Sequence, residues 1–378
     1  MLATPEGTRR YAARHAHAEA SHWRSLDGLA VGSIGLGTYL GEEDAASDAA
    51  YAAAARRALG LGCNLLDTAI NYRCQRSERA LGKALAEAFA AKEAAREEVV
   101  VCTKGGYLPF DEEVPRDPER AWHETYLKTG ILAPADLVGG VHAMSPRYLR
   151  DQLARSLRNL GLDAVDVYYV HNPEHQLSEL KRDEFDARIR DAFGALEQAC
   201  EERKVGRYGV ATWDGLRAPP EAEEHLSLER LVALAAEGRA AAGLQGPSRF
   251  RVVQAPLNLA MPEAYLAPTQ GMGSKRVPLL EAAHALGIGV VGSASLMQGR
   301  LTRGLPGYVG GVLGLERDAH RALQFARSCP GLTVSLAGMG QARHAEENLA
   351  LAGRRPAEPE DLRLLFDAAA RGPKTPGK

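Results

Sequence analysis

Four side chains suited to acid–base chemistry follow short apolar runs in this sequence. Asp67, Tyr72, Lys104 and His171 each stand at or just after the end of such a run. A phenol has an ordinary pKa of about 10, and a nearby ammonium group stabilises the phenolate and lowers that pKa. A carboxylate keeps the lysine charged inside a pocket, and an imidazole can hydrogen-bond a carbonyl oxygen. Together the four residues predict a proton donor that works near neutral pH, as carbonyl reduction requires.

Composition and charge narrow the class of protein. The sequence has 378 residues, 45% hydrophobic and 25% charged, which suits a globular chain with a sizeable core. The net charge of -2 gives no indication of nucleic acid or an anionic membrane surface as a partner. No apolar run approaches the ~20 residues of a membrane span, and residues 1–20 lack the apolar segment of a secretory signal. Five scattered cysteines predict free thiols and a cytoplasmic location.

Short apolar runs alternate with longer amphipathic stretches along most of the chain. Eight such repeats with near-continuous apolar strands predict an α/β protein, a closed parallel (β/α)8 TIM barrel, in which the carboxyl ends of the strands meet at one mouth. A doubly wound sheet is the alternative, but Gly35–Gly41 lacks the glycine spacing of a dinucleotide-binding turn. The predicted strands are Ile34–Thr38, Asn64–Asp67, Val99–Thr103, Val165–Val170, Tyr208–Ala211, Arg251–Gln254, Ile288–Gly292 and Thr333–Ala337.

The remaining segments are assigned around a barrel at residues 29–355. Residues 105–145 follow the third strand on the predicted catalytic face, and so long a connection predicts a lid-like insertion. A second connection, residues 258–277, is either a flap over a cofactor or a plain surface loop. We expect residues 1–28 to be a mobile extension, and residues 356–378 to be a C-terminal helix followed by a disordered tail.

Taken singly, each of the four reactive residues has a commoner structural role, but their occurrence at successive strand ends favours a joint function. Longer motifs around them resemble the aldo-keto reductase family. The resemblance covers roughly Leu29 to Leu351. The motifs that carry it are Asp67-Thr-Ala-x-x-Tyr72, Ser77-Glu78-x-x-Leu-Gly82, the run from Ser156 through Gly161 and Asp166 to His171-x-Pro173, Gln254-x-Pro-Leu-Asn258, and Gly338 with Glu347-Asn348.

The resemblance implies a TIM barrel that binds NADP(H) in extended form without a Rossmann domain. It implies that Tyr72 is the general acid/base and that Asp67, Lys104 and His171 are its partners. No metal is expected. The implied cofactor-binding residues are Gly37, Thr38, Asp67, Thr212, Gln254, Ser293, Leu296, Gln298, Gly299, Gly338, Arg343, Glu347 and Asn348. The candidate substrate-pocket residues are Tyr39, Arg73, Asn172 and Trp213.

The sequence departs from the family pattern around the nicotinamide and beside the tyrosine. Ala211-Thr212 replaces the usual Ser-Asn pair that holds the carboxamide, and Ser293 begins a stretch without the aromatic residue that many members stack on the nicotinamide. Arg73 replaces the usual glycine, so it would either reach an anionic substrate or cap its own loop. Arg343 would bind a 2′-phosphate, which favours NADP(H) over NAD(H).

The predicted function is an NADP(H)-dependent oxidoreductase that reduces an aldehyde or ketone, or oxidises the matching alcohol, by hydride transfer. Its predicted partner is a small carbonyl or alcohol substrate, larger than a simple aldehyde because the insertion is long and aromatic. One alternative is a cofactor-binding regulatory or scaffold protein on the same fold, similar to channel-associated members of the family. Another is a barrel isomerase or lyase that uses the Tyr/Lys pair without net redox change.

Overall fold

Eight parallel strands close into a barrel in the computed structural model, which describes the backbone of residues 1–370 and the side chains of residues 1–366. The strands are β1 (Trp23–Leu26), β2 (Leu29–Gly32), β3 (Ile34–Gly37), β4 (Leu65–Asp67), β5 (Val100–Gly105), β6 (Val165–His171), β7 (Val205–Ala211), β8 (Phe250–Pro256), β9 (Gln270–Met272), β10 (Lys275–Val277), β11 (Gly289–Ser293) and β12 (Val334–Gly338). The barrel order is β3-β4-β5-β6-β7-β8-β11-β12, with β12 paired to β3. The eight runs predicted as strands are these eight, so the predicted TIM barrel is confirmed.

Helices alternate with the barrel strands and cover their outer faces. Local capping explains several of their ends: Asp44 accepts a hydrogen bond from the Ser47 N–H at 2.7 Å at the start of α2, and Gly161 ends α5 with a φ of +63°. The helices are α1 (Pro5–Arg14), α2 (Ala45–Leu59), α3 (Arg76–Ala90), α4 (Pro118–Trp122), α5 (Pro146–Leu160), α6 (Arg182–Glu201), α7 (Leu228–Ala241), α8 (Glu263–Leu266), α9 (Leu279–Ala285), α10 (Gly307–Leu313), α11 (Asp318–Ser328), α12 (Ala342–Leu349) and α13 (Pro359–Ala370). Among the described residues no helix is long and apolar enough to cross a membrane.

The barrel interior is packed with side chains from alternate strand positions. Leu65, Val100, Val167 and Val252 are among the fully buried members of this cluster. Gly209 is needed where β7 meets β8, because a Cβ there would lie 1.6 Å from the Val252 carbonyl oxygen. A filled interior leaves the strand ends as the place where polar side chains can gather.

Residues 1–28 are folded against the barrel, so the predicted mobile extension is wrong. Strands β1 and β2 form an antiparallel hairpin whose Leu26 and Leu29 join the interior cluster. Its turn, Asp27-Gly28, has φ of 48° and 85°, and Asp-Gly between apolar residues is a hairpin signal that the sequence carries. Helix α1 is held by Arg14, whose Nη2 lies 2.7 Å from Glu98 Oε2.

The insertion at residues 105–145 lies beside the mouth and does not cover it, which corrects the lid prediction. Its apolar side chains form a small separate cluster with Tyr148 of α5, and among its described residues Tyr107 is the one that lines the cleft. The hairpin β9–β10 is a surface element, because Gln270 fastens it to the Leu216 and Leu226 carbonyl oxygens. Helix α13 lies in the predicted C-terminal segment, and the predicted disordered tail at residues 371–378 lies outside the described residues.

Asp166 offers a test of how the N-terminus is anchored. Its carboxylate accepts hydrogen bonds from the Ala3 N–H (2.6 Å), the Val101 N–H (2.8 Å) and Arg96 Nη2 (2.9 Å). We expect Asp166→Ala to lower the free energy of unfolding by about 2–4 kcal/mol in urea denaturation, because buried donors lose their acceptor. Asp163→Ala, at a carboxyl that is 95% exposed, should change it by less than ~0.5 kcal/mol. Equal losses in the two variants would contradict this anchoring.

Candidate active site

The carboxyl ends of β4, β5 and β6 bring the four acid–base residues together. Lys104 Nζ donates hydrogen bonds to the Asp67 carboxylate and to the Thr68 carbonyl oxygen, the latter at 2.9 Å. The same Nζ lies 4.9 Å from the centre of the Tyr72 ring. The His171 ring approaches the Tyr72 ring edge-on, with 5.9 Å between their centres. The phenol therefore stands between an ion pair and an imidazole.

Lys104 and Asp67 form a buried ion pair at the base of this group. Both side chains are almost fully shielded from solvent. Burial is the largest influence on Lys104 and would lower its pKa, but the charges and hydrogen bonds of Asp67 and Tyr72 together outweigh burial, and the pKa is raised. Burial raises the pKa of Asp67, and the Lys104 charge and a 2.9 Å hydrogen bond from Gln254 Nε2 oppose that rise. The pair is therefore an ammonium and a carboxylate at neutral pH.

Tyr72 and His171 are both neutral in this setting. The Lys104 charge lowers the pKa of Tyr72 as predicted, but burial is the larger influence and raises the net pKa above its usual value. Burial, with the charge of Lys104, lowers the pKa of His171 well below its usual value. The backbone of His171 is fixed by His142, whose Nε2 donates to the His171 carbonyl oxygen at 2.7 Å. A protonated phenol beside a neutral imidazole is suited to give a proton.

Arg73 points away from the cleft, so its prediction as a substrate-pocket residue is wrong and the alternative, a loop cap, is correct. Its Nε donates to the Glu42 carbonyl oxygen at 2.7 Å and its Nη2 to Asp48 Oδ1 at 2.6 Å. Arg73, Cys74 and Gln75 are consecutive residues with left-handed φ of 49°, 52° and 68°. Three such residues are unfavourable, and these bonds hold the loop that presents Tyr72.

A cleft of about 1700 Å³ extends from Tyr72 across the mouth toward α12. Within it Thr212 Oγ1 and Asn71 Oδ1 are buried and have no hydrogen-bond partner among the described residues. Buried polar atoms without partners indicate a place where a ligand binds. The predicted residues that line the cleft are Gly37, Thr38, Tyr39, Asp67, Tyr72, His171, Asn172, Thr212, Trp213, Gln254, Ser293, Leu296, Gln298, Gly299, Gly338, Glu347 and Asn348.

Besides Arg73, two predicted residues do not line the cleft. Lys104 lies behind Tyr72 and is fully buried. Arg343 is exposed on α12 outside the cleft, so its prediction as a cofactor contact is not supported by its position, whereas Arg303 and Arg317 line the far end. No sequence pattern indicated Arg303 or Arg317 as cleft residues, because both lie outside regular strands and helices between β11 and α11.

Sequence reasoning also missed Asn71 and Tyr107 at the near end of the cleft. Tyr107 follows β5 by two residues, so the position after a strand end could have indicated it. Its ring centre lies 5.2 Å from that of His171, and its hydroxyl accepts a hydrogen bond from Asn172 Nδ2 at 3.1 Å. The described residues contain no group of three or more His, Cys, Asp or Glu side chains arranged to hold a metal ion.

The chain is similar in sequence to known dehydrogenases and reductases. The chain is 30% identical over 187 residues to a D-threo-aldose 1-dehydrogenase from a Pseudomonas species, covering 49% of this chain and 51% of the relative. It is 31% identical over 150 residues to a 6-dehydroglucose reductase from Novosphingobium aromaticivorans, covering 39% and 40%. The matches thus span about half the length of these relatives or less.

Solved structures match the fold over nearly the whole chain. An aldo/keto reductase from Klebsiella pneumoniae, crystallised with NADP and acetate, has a TM-score of 0.60 at 20% identity, covering 93% of this chain and 96% of its own. The glycerol dehydrogenase of Gluconobacter oxydans has a TM-score of 0.62 at 17% identity, covering 95% and 98%. The model of the Aldo/keto reductase family matches residues 33–236, and by that match the chain belongs to the aldo/keto reductase family.

Proposed function

We propose that this protein is an NADP(H)-dependent carbonyl reductase, or an alcohol dehydrogenase in the reverse direction, with Tyr72 as its general acid/base. The observation that carries the proposal is the neutral Tyr72 phenol held at the cleft between the Lys104–Asp67 ion pair and neutral His171. The relatives named above are dehydrogenases and reductases, which supports hydride chemistry.

The cleft fits a nicotinamide cofactor. Thr212 offers a buried hydroxyl without a partner, although Ala211 lacks the hydroxyl usual in the family. The segment after β11 presents left-handed backbone at Ala294, Met297 and Gln298, and turns of this kind aim N–H groups at anions such as a pyrophosphate. The similar Klebsiella pneumoniae structure was crystallised with NADP, which supports the same class of cofactor here.

The acid–base residues would act on the oxygen of the substrate. The hydride for the carbonyl carbon would come from a reduced nicotinamide bound in the cleft. Tyr72 gives its proton to the oxygen as negative charge develops there, and Lys104 stabilises the phenolate that remains. Neutral His171 is placed to hydrogen-bond the same oxygen, and Asp67 keeps Lys104 charged and in position. In the reverse direction the Tyr72 phenolate accepts the proton of the alcohol.

The near end of the cleft favours an uncharged, hydroxylated substrate. Around Tyr72 the walls are Tyr39, Asn71, Tyr107, Asn172 and Trp213, which combine aromatic faces with amide and hydroxyl groups. Among these described walls no cation is free to pair with an anionic substrate, since Arg73 is engaged by Asp48. The sugar substrates in the names of the two curated relatives agree with this class.

Tyr72→Phe tests the proton donor. We expect it to lower kcat by at least ~10³-fold on an aldehyde and sugar panel with NADPH, because the ring remains and the proton is lost. The measurement is loss of reduced-nicotinamide absorbance, and Tyr308→Phe, which removes an exposed hydroxyl outside the cleft, should match the parent protein. NADPH binding without turnover by the parent protein would favour the scaffold alternative. Conversion of a substrate without NADPH oxidation would favour the isomerase.

Substitution of the cleft arginines tests whether the protein prefers NADP(H) to NAD(H). Arg303 and Arg317 line the far end of the cleft, and Arg317 Nη1 lies 3.3 Å from Glu347 Oε1 in an exposed pair. We expect Arg303→Ala with Arg317→Ala to raise the KM for NADPH about tenfold and to change the KM for NADH much less, because only NADPH carries the 2′-phosphate. Arg343→Ala is the matched control. If it alone weakens NADPH binding, or if both cofactors suffer equally, the assignment fails.

A further inference from the structure

Glu174 is a buried carboxyl outside the acid–base group. It lies on the short turn Pro173–Ser178 that follows β6, and its residue is 8% exposed. Its Oε1 accepts hydrogen bonds from three successive backbone N–H groups, those of Trp213 (2.7 Å), Asp214 (3.2 Å) and Gly215 (3.3 Å). Its Oε2 is buried and has no partner among the described residues. One carboxyl group therefore joins the turn after β6 to the turn after β7.

The segment that Glu174 holds, here called the Trp213 turn (residues 213–215), is part of the cleft wall. It begins directly after Thr212, and Trp213 is 42% exposed where it lines the cleft. The turn lies close to Glu174: a Cβ on Gly215 would be 3.2 Å from the Glu174 Cβ and 2.9 Å from Leu226 Cδ1. Movement of the Glu174 carboxyl would therefore move this wall.

We propose that Glu174 is a positioning residue whose carboxyl group fixes the Trp213 turn and so sets the orientation of Trp213 and Thr212 along the cleft. The carboxyl never reaches the cleft itself, so its effect passes through the backbone that it binds. The use of this wall in substrate binding rests on the proposed function, whereas the link between carboxyl and turn does not.

The charge of this carboxyl changes near neutral pH. Burial raises the pKa of Glu174 to about 7, opposed by the backbone N–H groups it accepts from. Among the described residues no cation lies within salt-bridge distance of Glu174. The titratable and charged groups near it are Tyr107, which follows β5, His175 on the same turn, and Asp214 and Arg217, which pair with each other. A protonated carboxyl is a weaker acceptor than a carboxylate, so the Trp213 turn should loosen as pH falls through 7.

The titration of Glu174 has the opposite effect on the stability of the whole protein: stability falls as pH rises, because protonation of the carboxyl is linked to folding. Its folded pKa lies above the ordinary value of 4.5, so its contribution to stability is complete below that value and is lost as pH rises through about 7. Glu174→Gln keeps a side-chain carbonyl oxygen and cannot ionise. We expect its Tm to exceed that of the parent protein at about pH 8 and to approach it at about pH 5, measured by thermal unfolding. A difference in Tm that does not change with pH would contradict the assigned titration.

Trp213 fluorescence tests the positioning role without cofactor or substrate. The emission of Trp213 is obtained by subtracting the emission of the same protein with Trp213→Phe. This difference is measured from about pH 5.5 to 8.5. We expect a transition near pH 7 in the parent protein and in Glu223→Gln, an exposed carboxyl exchanged as a control, and none in Glu174→Gln. A transition that persists in Glu174→Gln, or the absence of a transition from the parent protein, would overturn the proposal.

Steady-state kinetics then test whether the Trp213 turn contributes to substrate binding. Glu174→Ala removes the acceptor, and we expect it to raise the KM for the carbonyl substrate about tenfold with kcat changed less than about threefold. Glu174→Gln should retain a KM near the parent value and lose its change with pH. An unchanged KM in Glu174→Ala would overturn the role in binding. Absence of turnover in the parent protein would instead count against the proposed function, while the fluorescence result still decides the positioning role.

Discussion

The ion pair between Lys104 and Asp67 is the interaction on which the candidate site depends. Two opposite charges are buried at the end of a filled barrel, where either one alone would be strongly unfavourable. Their mutual attraction keeps both ionised, and a third group, Gln254, fixes the carboxylate from the opposite side of the barrel. The charge beside Tyr72 is thus supplied by the barrel wall and does not require a mobile side chain.

Rigid support extends from this pair to the loops. Arg73 and Asp48 hold the strained segment behind Tyr72, and His142 holds the backbone of His171. Asp48 lies on α2 and His142 on the connection between β5 and α5, so each of these two side chains supports a group carried by another element. Electrostatic catalysis benefits from such preorganisation, because the groups need not reorient as charge develops.

Much of this arrangement could be predicted from the sequence, for physical reasons. Buried parallel strands are apolar runs, so all eight were visible, and residues at their ends had to converge at one mouth. Side-chain direction was not visible: the sequence left Arg73 as either a substrate contact or a loop cap, and the contact with Asp48 that decides between them depends on a helix remote in sequence. Arg343 was chosen by motif spacing, whereas Arg303 and Arg317 reach the cleft from an irregular segment that no periodicity describes. The net pKa of Tyr72 also depends on burial, which a sequence does not give.

The insertion between β5 and α5 lines the cleft through Tyr107 near its start, and near its end it places His142 behind His171. Between them, apolar residues form a small cluster on the side of the barrel. Phe110 and Glu112 also bind the loop that presents Tyr72: Gln75 Nε2 donates to the Phe110 carbonyl oxygen at 2.9 Å, and the Glu112 N–H donates to the Cys74 carbonyl oxygen at 2.9 Å. The part of the insertion that makes none of these contacts is its apolar cluster. A new surface could therefore be grafted onto this outer cluster, provided that the graft keeps Tyr107, His142 and the two hydrogen bonds to the Tyr72 loop.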